Sequence, residues 1–411
     1  MLEVTNEVST LRQVIVHRPD DGIELVTPDK AQEYLYDDIV YLQKMREEHD
    51  IFTKVLRCFL GKENIIEVEN LLVEILHLPR VKADLIDAVC RFEGTENIAS
   101  TLLSLSPKNL AYTLLTGAIG VTKQNIFAPI ANYIFCRDIA VVIKTHIFLC
   151  EAAKSARSRE SLLTRFIVQH ASIFSLNDTI ELSSLNVLLD HLQTGKKSLS
   201  IEGGDVMMIH PDHLLIGHSE RTNIAAIEHL VNYLFEKKIV KYVTRIDLPK
   251  ERYCMHLDTI FTLIDHKVCV AFEPLVCTSK MPIIQYQESI KVKRNFDSLQ
   301  QMLWSVFPNL QFIPCGGGLS PHAEREQWTD GCNLFTIKAG VAVTYDRNVH
   351  TAKALAAHGY SLVFAKKFLN EIKAGKIKIE QIKKTIILIP SNELSRARGG
   401  THCLTWPIKR D

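Results

Sequence analysis

The sequence of 411 residues lacks an excess of charge of either sign, because 48 Lys and Arg are balanced by 47 Asp and Glu. This balance argues against non-specific binding to nucleic acid or to an anionic membrane, although it does not exclude a local basic site. No uncharged apolar stretch approaches the ~18 residues that span a bilayer. The N-terminal residues read MLEVTNEVSTLRQ and lack the basic and apolar regions of a signal peptide. We therefore expect a soluble, cytoplasmic protein with no nucleic-acid or membrane partner.

Paired cysteine motifs are also missing. The ten cysteines include no CxxC pair, which argues against a zinc ribbon and against a thioredoxin motif. A disulfide framework is not expected in a chain long enough to bury its own core. Hydrophobic residues make up 46% of the chain and charged residues 23%, as in ordinary globular proteins. The cysteines are therefore expected to be reduced.

Hydrophobic periodicity divides the chain into an α/β part and a helical part. Leu11–His17 predicts a first strand, and Thr27 with Pro28 predicts the start of a helix running to about Arg57. Leucine-rich runs from about residue 68 to 120 keep helical spacing without strand alternation. After Phe127 short apolar runs alternate with helical patterns, which indicates α/β architecture. The predicted strands there are 139–143, 206–209, 259–264, 268–272 and 341–344, and the predicted helices include 161–170, 223–237 and 350–358. We expect an α/β domain over 1–66 and 129–411, with an inserted helical subdomain over 67–128.

Two acidic motifs precede predicted strands. In MHLDT, a strand would place His256 and Asp258 on the same face, as an acid/base histidine beside a carboxylate. The alternative is an ordinary hydrogen-bonded pair at a strand end. In EGGD, the two glycines allow close backbone approach and place Glu202 and Asp205 at a strand entrance. The alternative is a tight turn with solvated acids.

The C-terminal segment RARGGTHCLTWP sets Cys403 in a glycine-rich loop close to two arginines. Cationic neighbours and exposed amides lower a thiol pKa, and the thiolate is the nucleophile. Cys403 is therefore a candidate nucleophile with a lowered pKa. The alternative is a structural cysteine, although such cysteines more often lie within apolar runs, as Cys269 and Cys277 do. Asn132 and Asp138 are further candidates, at either end of a loop that enters a strand.

Two further motifs, one rich in glycine and one with two histidines, do not predict a phosphate-binding or metal-binding site. The stretch CGGG at 315–318 lacks the GKS or GKT ending of a phosphate loop and predicts a turn. The stretch HPDH at 210–213 places two histidines in a loop and not on a metal-binding helix. We expect neither a required metal nor a cofactor.

Ten segments in order resemble the arginine deiminase family. They are VIVHRP, LYDDI, NYIFCRD, ARSRESLLTRF, EGGD, GHSERT, MHLDTIF, EREQW, TYDRN and RARGGTHCLTWP, and they extend from near residue 14 to residue 407. The helical insertion also lies where that family carries a helical domain. The resemblance implies a pentein fold, a five-bladed α/β-propeller around a central funnel, with an inserted helical bundle.

The resemblance also implies an activity, the hydrolysis of L-arginine to L-citrulline and ammonia. Asp138 and Asp258 would clamp the substrate guanidinium, and Glu202 would bind it and assist proton transfer. Cys403 would attack the guanidinium carbon. His256 would protonate the departing ammonia and then activate water against a covalent thiouronium intermediate.

The same resemblance implies how the remainder of the substrate is recognised. Arg157 and Arg221 match the positions that bind the α-carboxylate, although either could instead form a surface ion pair. Further implied site residues are Asn132 and Phe135 as pocket lining, Arg398 as a mobile gate and Asp205 in a supporting position. Homo-oligomers are common in the family and are expected here.

Three C-terminal residues depart from the common family pattern, and they are Ala397, Thr401 and Trp406. They affect loop geometry and hence turnover or affinity more than the reaction class. Two alternatives remain open. One is a related pentein reaction on agmatine, on methylated arginine or in amidino transfer. The other is a catalytically silent arginine-binding protein.

Overall fold

The computed structural model describes residues 1–120, 124–185, 187 and 199–411. Its α-helices are α1 (Leu42–Leu60), α2 (Val68–Leu76), α3 (Pro79–Glu93), α4 (Ala99–Ser104), α5 (Pro107–Thr116), α6 (Ser158–His170), α7 (Ile224–Glu236), α8 (Glu273–Val276), α9 (Leu299–Val306), α10 (His322–Trp328), α11 (Val349–Ala357) and α12 (Ala365–Lys373). None of these helices is both long and apolar enough to cross a membrane.

Its strands are β1 (Leu11–Val16), β2 (Ile65–Glu67), β3 (Ala118–Ile119), β4 (Gln124–Asn125), β5 (Ala140–Ile143), β6 (His146–Leu149), β7 (Thr179–Ile180), β8 (Val206–His210), β9 (His213–His218), β10 (Tyr242–Asp247), β11 (Phe261–Asp265), β12 (Val268–Ala271), β13 (Ile283–Gln287), β14 (Lys293–Phe296), β15 (Gln311–Pro314), β16 (Phe335–Lys338), β17 (Val341–Tyr345), β18 (Ser361–Phe364), β19 (Thr385–Ile389) and β20 (Trp406–Arg410). Helices and strands alternate after residue 127, so the predicted α/β architecture is confirmed.

One pairing pattern recurs in the larger sheets of the described ranges. The sheet orders are β2-β1-β20, β5-β6-β7, β14-β13-β10-β9-β8, β11-β12-β15 and β16-β17-β19-β18, besides the hairpin β3-β4. In four of these sheets an antiparallel pair is followed by a parallel neighbour. The sheet that contains β1 has the same pattern, because β20 pairs antiparallel with β1 and β1 pairs parallel with β2. The C-terminal strand thus completes the sheet that the N-terminal strand begins.

The predicted helix start at Thr27 is wrong. Residues 27–35 form turns, and α1 begins at Leu42. Tertiary contacts determine this difference. Asn132 Nδ2 donates to the carbonyl oxygen of Tyr34 at 2.7 Å, and the Tyr36 hydroxyl donates to the carbonyl oxygen of Ala131 at 2.9 Å. These bonds hold the segment in a non-helical conformation against the loop that precedes β5.

Local sequence signals mark the ends of the helices between residues 68 and 116. Helix α3 carries Pro79 in its first turn and ends at Gly94, which has φ +64°. Helix α5 is capped by the Ser106 hydroxyl and ends at Gly117, with φ +80°. Proline suits the first turn of a helix, serine suits the N-cap, and glycine suits the left-handed residue at the C-terminal end. The buried leucines of these helices share one apolar cluster with residues of α6.

Candidate active site

Polar residues stand just before the strand that begins the recurring pattern in each of the five larger sheets. They are Cys403 before β20, Asp138 before β5, Glu202 and Asp205 before β8, His256 and Asp258 before β11, and Asp330 with Asn333 before β16. Members of all five sets, including Asp138, Glu202, His256, Asp330 and Cys403, line one pocket. The repeated sheet motif therefore gathers residues that are far apart in the sequence.

The pocket contains most of the residues predicted from the sequence. Asn132, Phe135, Asp138, Arg157, Glu202, Arg221, His256, Arg398 and Cys403 all line it. Asp258 and Asp205 lie behind the lining and are fully buried. Asp258 contacts Cys403, which lines the pocket, and Asp205 accepts a hydrogen bond from Leu257, the residue after His256. The structure thus brings all of the predicted site residues together.

His256 lies between two carboxylates. Its Nε2 is 2.8 Å from Glu202 Oε2, and its Nδ1 is 3.7 Å from Asp138 Oδ1. Burial alone would lower the pKa of His256, but Asp138, Glu202 and Asp205 override it and raise the pKa to about 10. The imidazole is therefore a cation at neutral pH and can donate a proton.

The predicted strand through His256 and Asp258 is wrong. His256 has extended backbone, but Leu257–Thr259 forms a short 3₁₀ turn and β11 begins only at Phe261. The turn directs the two side chains to different partners. His256 contacts Glu202, whereas Asp258 contacts His402 Nδ1 and Cys403 Sγ. Both residues still reach the site, but not by sharing the face of a strand.

Carboxylates dominate the charges around Cys403, although Arg398 lines the same pocket. Its Sγ lies 3.5 Å from Asp258 Oδ2. Burial, followed by the charges of Asp258, Asp138 and Asp330, raises the pKa of the Cys403 thiol well above its usual value. The expectation of a lowered pKa is therefore wrong for this structure. Arg396, one of the two nearby arginines, is instead at the surface beside Asp38.

Arg157 already holds several acceptors in the pocket. Its Nη1 lies 2.6 Å from Asp138 Oδ2 and 3.8 Å from Glu202 Oε2, and its Nε lies 2.8 Å from Glu160 Oε2. Its Nη2 donates to the carbonyl oxygens of Asn132 and Phe135. Arg157 is thus a buried hub and not a surface ion pair.

Arg221 and Asp205 flank Glu202 on its other side. Arg221 Nη1 is 3.7 Å from Glu202 Oε1. Burial would raise the pKa of Glu202, but Arg221, His256 and Arg157 lower it below its usual range. Asp205 accepts hydrogen bonds from the Ser219 hydroxyl at 2.6 Å and from the Leu257 amide at 2.9 Å. Asp205 therefore anchors the turn that carries His256.

The glycine after Arg398 allows a close approach at the pocket wall. A Cβ on Gly399 would lie 2.2 Å from Phe135 Cε1, so only glycine fits against the ring. Arg398 itself adopts a left-handed backbone with φ +64° and is buried.

The three departures from the family pattern, Ala397, Thr401 and Trp406, are all buried, and they form part of the packed interior. Thr401 donates to the carbonyl oxygen of Val343 at 2.9 Å, and Trp406 stacks on Phe174.

Sequence reasoning missed several residues that support the site. His402 Nδ1 is 2.9 Å from Asp258 Oδ2, and its Nε2 is 3.1 Å from Glu7 Oε2. Asn333 Oδ1 accepts the backbone amides of His402 and Cys403, both at 3.1 Å. His402 was detectable as the neighbour of Cys403, but Glu7 and Asn333 carry no local signal. Only the fold brings them together.

Asp138, Glu202 and His256 also meet the geometric conditions for binding a cation. Each offers a ligand atom, and these atoms lie within 4.8 Å of one another. The guanidinium of Arg157 already occupies part of this cluster. The protonated His256 has no lone pair for an ion, so the two carboxylates suit a planar organic cation better than a metal ion.

Comparisons with known proteins agree with this geometry. The family model described as arginine deiminase matches residues 93–410. An arginine deiminase from Bacillus cereus is 31% identical over 442 aligned positions, covering 100% of this chain and 98% of the relative. An arginine deiminase from Borrelia garinii subsp. bavariensis is 29% identical, with the same coverage of both chains.

Solved structures with a similar fold have much lower identity. A DDAH from Pseudomonas aeruginosa, complexed with citrulline, has a TM-score of 0.52 at 12% identity and covers 97% of this chain and 99% of its own. The N-terminal domain of ArgZ, a cyanobacterial arginine dihydrolase bound to product, has a TM-score of 0.50 at 12% identity and covers 98% of both chains. Unliganded AgrE has a TM-score of 0.53 at 11% identity, and this chain spans 40% of that longer chain. By the family match and the full-length relatives, the chain belongs to the arginine deiminase family.

Proposed function

We propose that the chain hydrolyses L-arginine to L-citrulline and ammonia through a covalent cysteine intermediate. The observation that carries this proposal is the joint placement of a thiol, a cationic imidazole and buried carboxylates in one pocket. These groups are Cys403, His256, Asp138 and Glu202. A guanidinium is planar, permanently cationic and rich in N–H donors, so it requires acceptors of this kind.

The proposed binding step places the guanidinium between Asp138 and Asp258, with Glu202 as a further acceptor. Asp258 supports this assignment, because its Oδ1 has no hydrogen-bond partner in the described part of the chain although the residue is fully buried. A cation beside Cys403 would offset the carboxylates that raise the thiol pKa. Substrate binding would then favour the thiolate at the moment it is needed.

The proposed reaction has two stages. The Cys403 thiolate attacks the guanidinium carbon, and His256 donates its proton to the leaving nitrogen, which departs as ammonia. A thiouronium remains on Cys403. The now neutral His256 takes a proton from water, and the resulting hydroxide attacks the same carbon. The C–S bond breaks to release the thiolate, and the hydroxyl proton passes to solvent, which leaves citrulline.

The proposed selectivity for arginine depends on its α-carboxylate. Arg157 and Arg221 are two buried cations of the pocket that can bind it, and Asn132 with Phe135 completes the wall. Arg157 would keep its contact with Glu160 while the substrate guanidinium replaces it at Asp138. Agmatine has no carboxylate and would leave both arginines without this partner. Arg398 is proposed to gate the pocket, and Asp205 to orient His256.

Purified protein incubated separately with L-arginine, agmatine and dimethylarginine tests this proposal, with ureido product and ammonia as readouts. Turnover of arginine alone is expected. Preferential turnover of agmatine or dimethylarginine would favour the related pentein reactions. Binding of arginine without turnover would favour the silent binder. Cys403→Ser should abolish turnover and preserve folding, whereas substantial remaining activity would rule out covalent catalysis at this residue.

We further propose that the five larger sheets form the five blades of a closed α/β-propeller. In support of this, neighbouring sheets contact in sequence around a ring: β20 with β5, the turns before β5 and β8, the turns before β8 and β11, β11 with β16, and β16 with β1. The polar residues before each sheet's starting strand would then face the central funnel.

The organisation of the chain remains a proposal as well. We propose an inserted helical subdomain over residues 67–128, of which 121–123 lie outside the described residues, within a catalytic domain of residues 1–66 and 129–411. Helices α2–α5 fall within those bounds, between β2 and β5. A cytoplasmic location, a homo-oligomeric state and activity without a cofactor complete the proposal. Sedimentation analysis and assays in a chelator test the last two.

A further inference from the structure

The proposed gate residue, Arg398, lies against the indole of Trp328. The guanidinium carbon is 3.6 Å from the ring centroid, and Nη1 donates a hydrogen bond to the carbonyl oxygen of Trp328. Nη2 donates to the carbonyl oxygen of Arg252 at 3.4 Å. The Arg398 side chain is only 4% exposed. A charged group is therefore held away from water by a π face and two carbonyl oxygens.

Carboxylates near Arg398 do not replace the indole. Asp37 Oδ2 lies 3.6 Å from Arg398 Nε but 3.0 Å from Nη2 of Arg252. Within the described residues, Arg398 Nε has no hydrogen-bond partner. The ring therefore acts together with the two carbonyl oxygens to hold the plane of the guanidinium. A cation over a tryptophan face changes an equilibrium constant by about 2- to 30-fold, depending on desolvation.

Trp328 is a fixed platform, whereas Arg398 lies in a glycine-rich loop. The preceding residue, Gln327, donates from Nε2 to two carbonyl oxygens in the segment before β11, at 2.7 and 3.1 Å. The following residue, Thr329, donates to Asn348 Oδ1 at 2.6 Å. These bonds hold both sides of Trp328. We therefore expect opening of the gate to move Arg398 more than the indole.

The stacked position of Arg398 closes the pocket. The remaining cavity is about 20 Å³, which has room for about one water but not for an arginine molecule. An arginine molecule, or any reagent directed at Cys403, requires Arg398 to leave its present position. The strength of the stacking contact then sets how often the pocket opens.

We propose that Trp328 is a positioning residue that holds the Arg398 gate shut through a cation–π contact and so controls access to Cys403. The inference rests on the proposed function, in which Arg398 gates the pocket and Cys403 is the nucleophile. Its test needs no arginine turnover. A protein that failed to hydrolyse arginine could therefore still confirm or contradict the gate.

The test measures the rate at which iodoacetamide alkylates Cys403, read by mass spectrometry of the peptide that contains it, at one fixed pH. Trp328→Leu removes the π face and should accelerate alkylation by about 2- to 30-fold. Trp328→Phe keeps a π face and should react at a rate between those of the parent and Trp328→Leu. Trp304→Leu is the matched control, because Trp304 is also half-exposed and should leave the rate unchanged.

A second series covers the case in which Trp328→Leu does not fold. Tryptophans with one, two or three ring fluorines, placed at position 328 by stop-codon suppression, keep the shape of the side chain while weakening its attraction for cations. The alkylation rate should rise with each fluorine. A flat series, or a parent rate in folded Trp328→Leu, would overturn the proposal. A Trp328→Phe rate equal to that of Trp328→Leu would do so as well.

Discussion

Asn333 offers the sharpest test of how the fold positions the nucleophile. Its Oδ1 accepts the backbone amides of His402 and Cys403 at 3.1 Å, and its Nδ2 donates to the carbonyl oxygen of Asp258 at 3.2 Å. One fully buried side chain thus connects the loop of Cys403 to the turn of Asp258. Asn333→Ala should displace Cys403 relative to the carboxylates without removing any group that reacts.

The size of the effect follows from the groups that lose their partners. The His402 amide keeps a second acceptor, the carbonyl oxygen of Asn333, at 3.3 Å. Neither the Cys403 amide nor the Asp258 carbonyl oxygen has a second hydrogen-bond partner among these contacts. Two buried polar groups left unsatisfied cost about 1–3 kcal/mol each, so the free energy of unfolding should fall by about 2 to 6 kcal/mol. A nucleophile misplaced by about 1 Å should lower kcat by about 100-fold.

The assay pairs urea denaturation with steady-state citrulline formation from arginine. Asn177→Ala is the matched control, because Asn177 also makes three hydrogen bonds to backbone groups, those of Leu2 and Thr145. Asn177 does not line the pocket. The control should lose stability and retain kcat.

The decisive comparison is kcat between two variants that are both folded under assay conditions. If Asn333→Ala lowers kcat no more than Asn177→Ala does, Asn333 contributes only to stability. The reasoning about Cys403 placement would then be refuted. A normal free energy of unfolding in Asn333→Ala would refute the estimate of unsatisfied buried groups.

Three further predictions concern substrate recognition and the thiol. Arg157→Ala should raise KM for arginine by about 10- to 150-fold, the equivalent of a charged hydrogen bond of about 1.5–3 kcal/mol, and change KM for agmatine less; an unchanged arginine KM would remove its carboxylate role. Burial and then Asp258 raise the pKa of Cys403, so its thiolate fraction is small at neutral pH. Alkylation of Cys403 by iodoacetamide should therefore accelerate about tenfold per pH unit between pH 7 and 9. A plateau of the alkylation rate below pH 9 would contradict this. Gly399→Ala places a Cβ against Phe135 and should lower kcat/KM by about 5- to 150-fold through overpacking of about 1–3 kcal/mol. Wild-type kinetics would show that the ring can move freely.

The sequence alone predicted the chemistry of the site through ordered motifs. Glycines near Cys403 and Glu202 mark the ends of loops, and His256 stands two residues before Asp258 in a short polar segment ahead of an apolar run. Helix boundaries such as Pro79 and Gly94 were also encoded locally, because proline and glycine restrict or widen the backbone angles of one residue. The α/β character after residue 127 followed from hydrophobic periodicity, because the spacing of apolar residues differs between helices and strands.

Tertiary structure decided what depends on residues that are distant in the chain. The pKa of Cys403 has the opposite direction from the sequence-based expectation, because the fold buries the thiol, places Asp258 beside it and leaves Arg396 at the surface. The segment after Thr27 is not helical, because Asn132 and Ala131 bind it from another part of the chain. Local sequence determines which conformations a segment prefers, whereas burial and Coulomb interactions depend on distances that only the packed sheets establish.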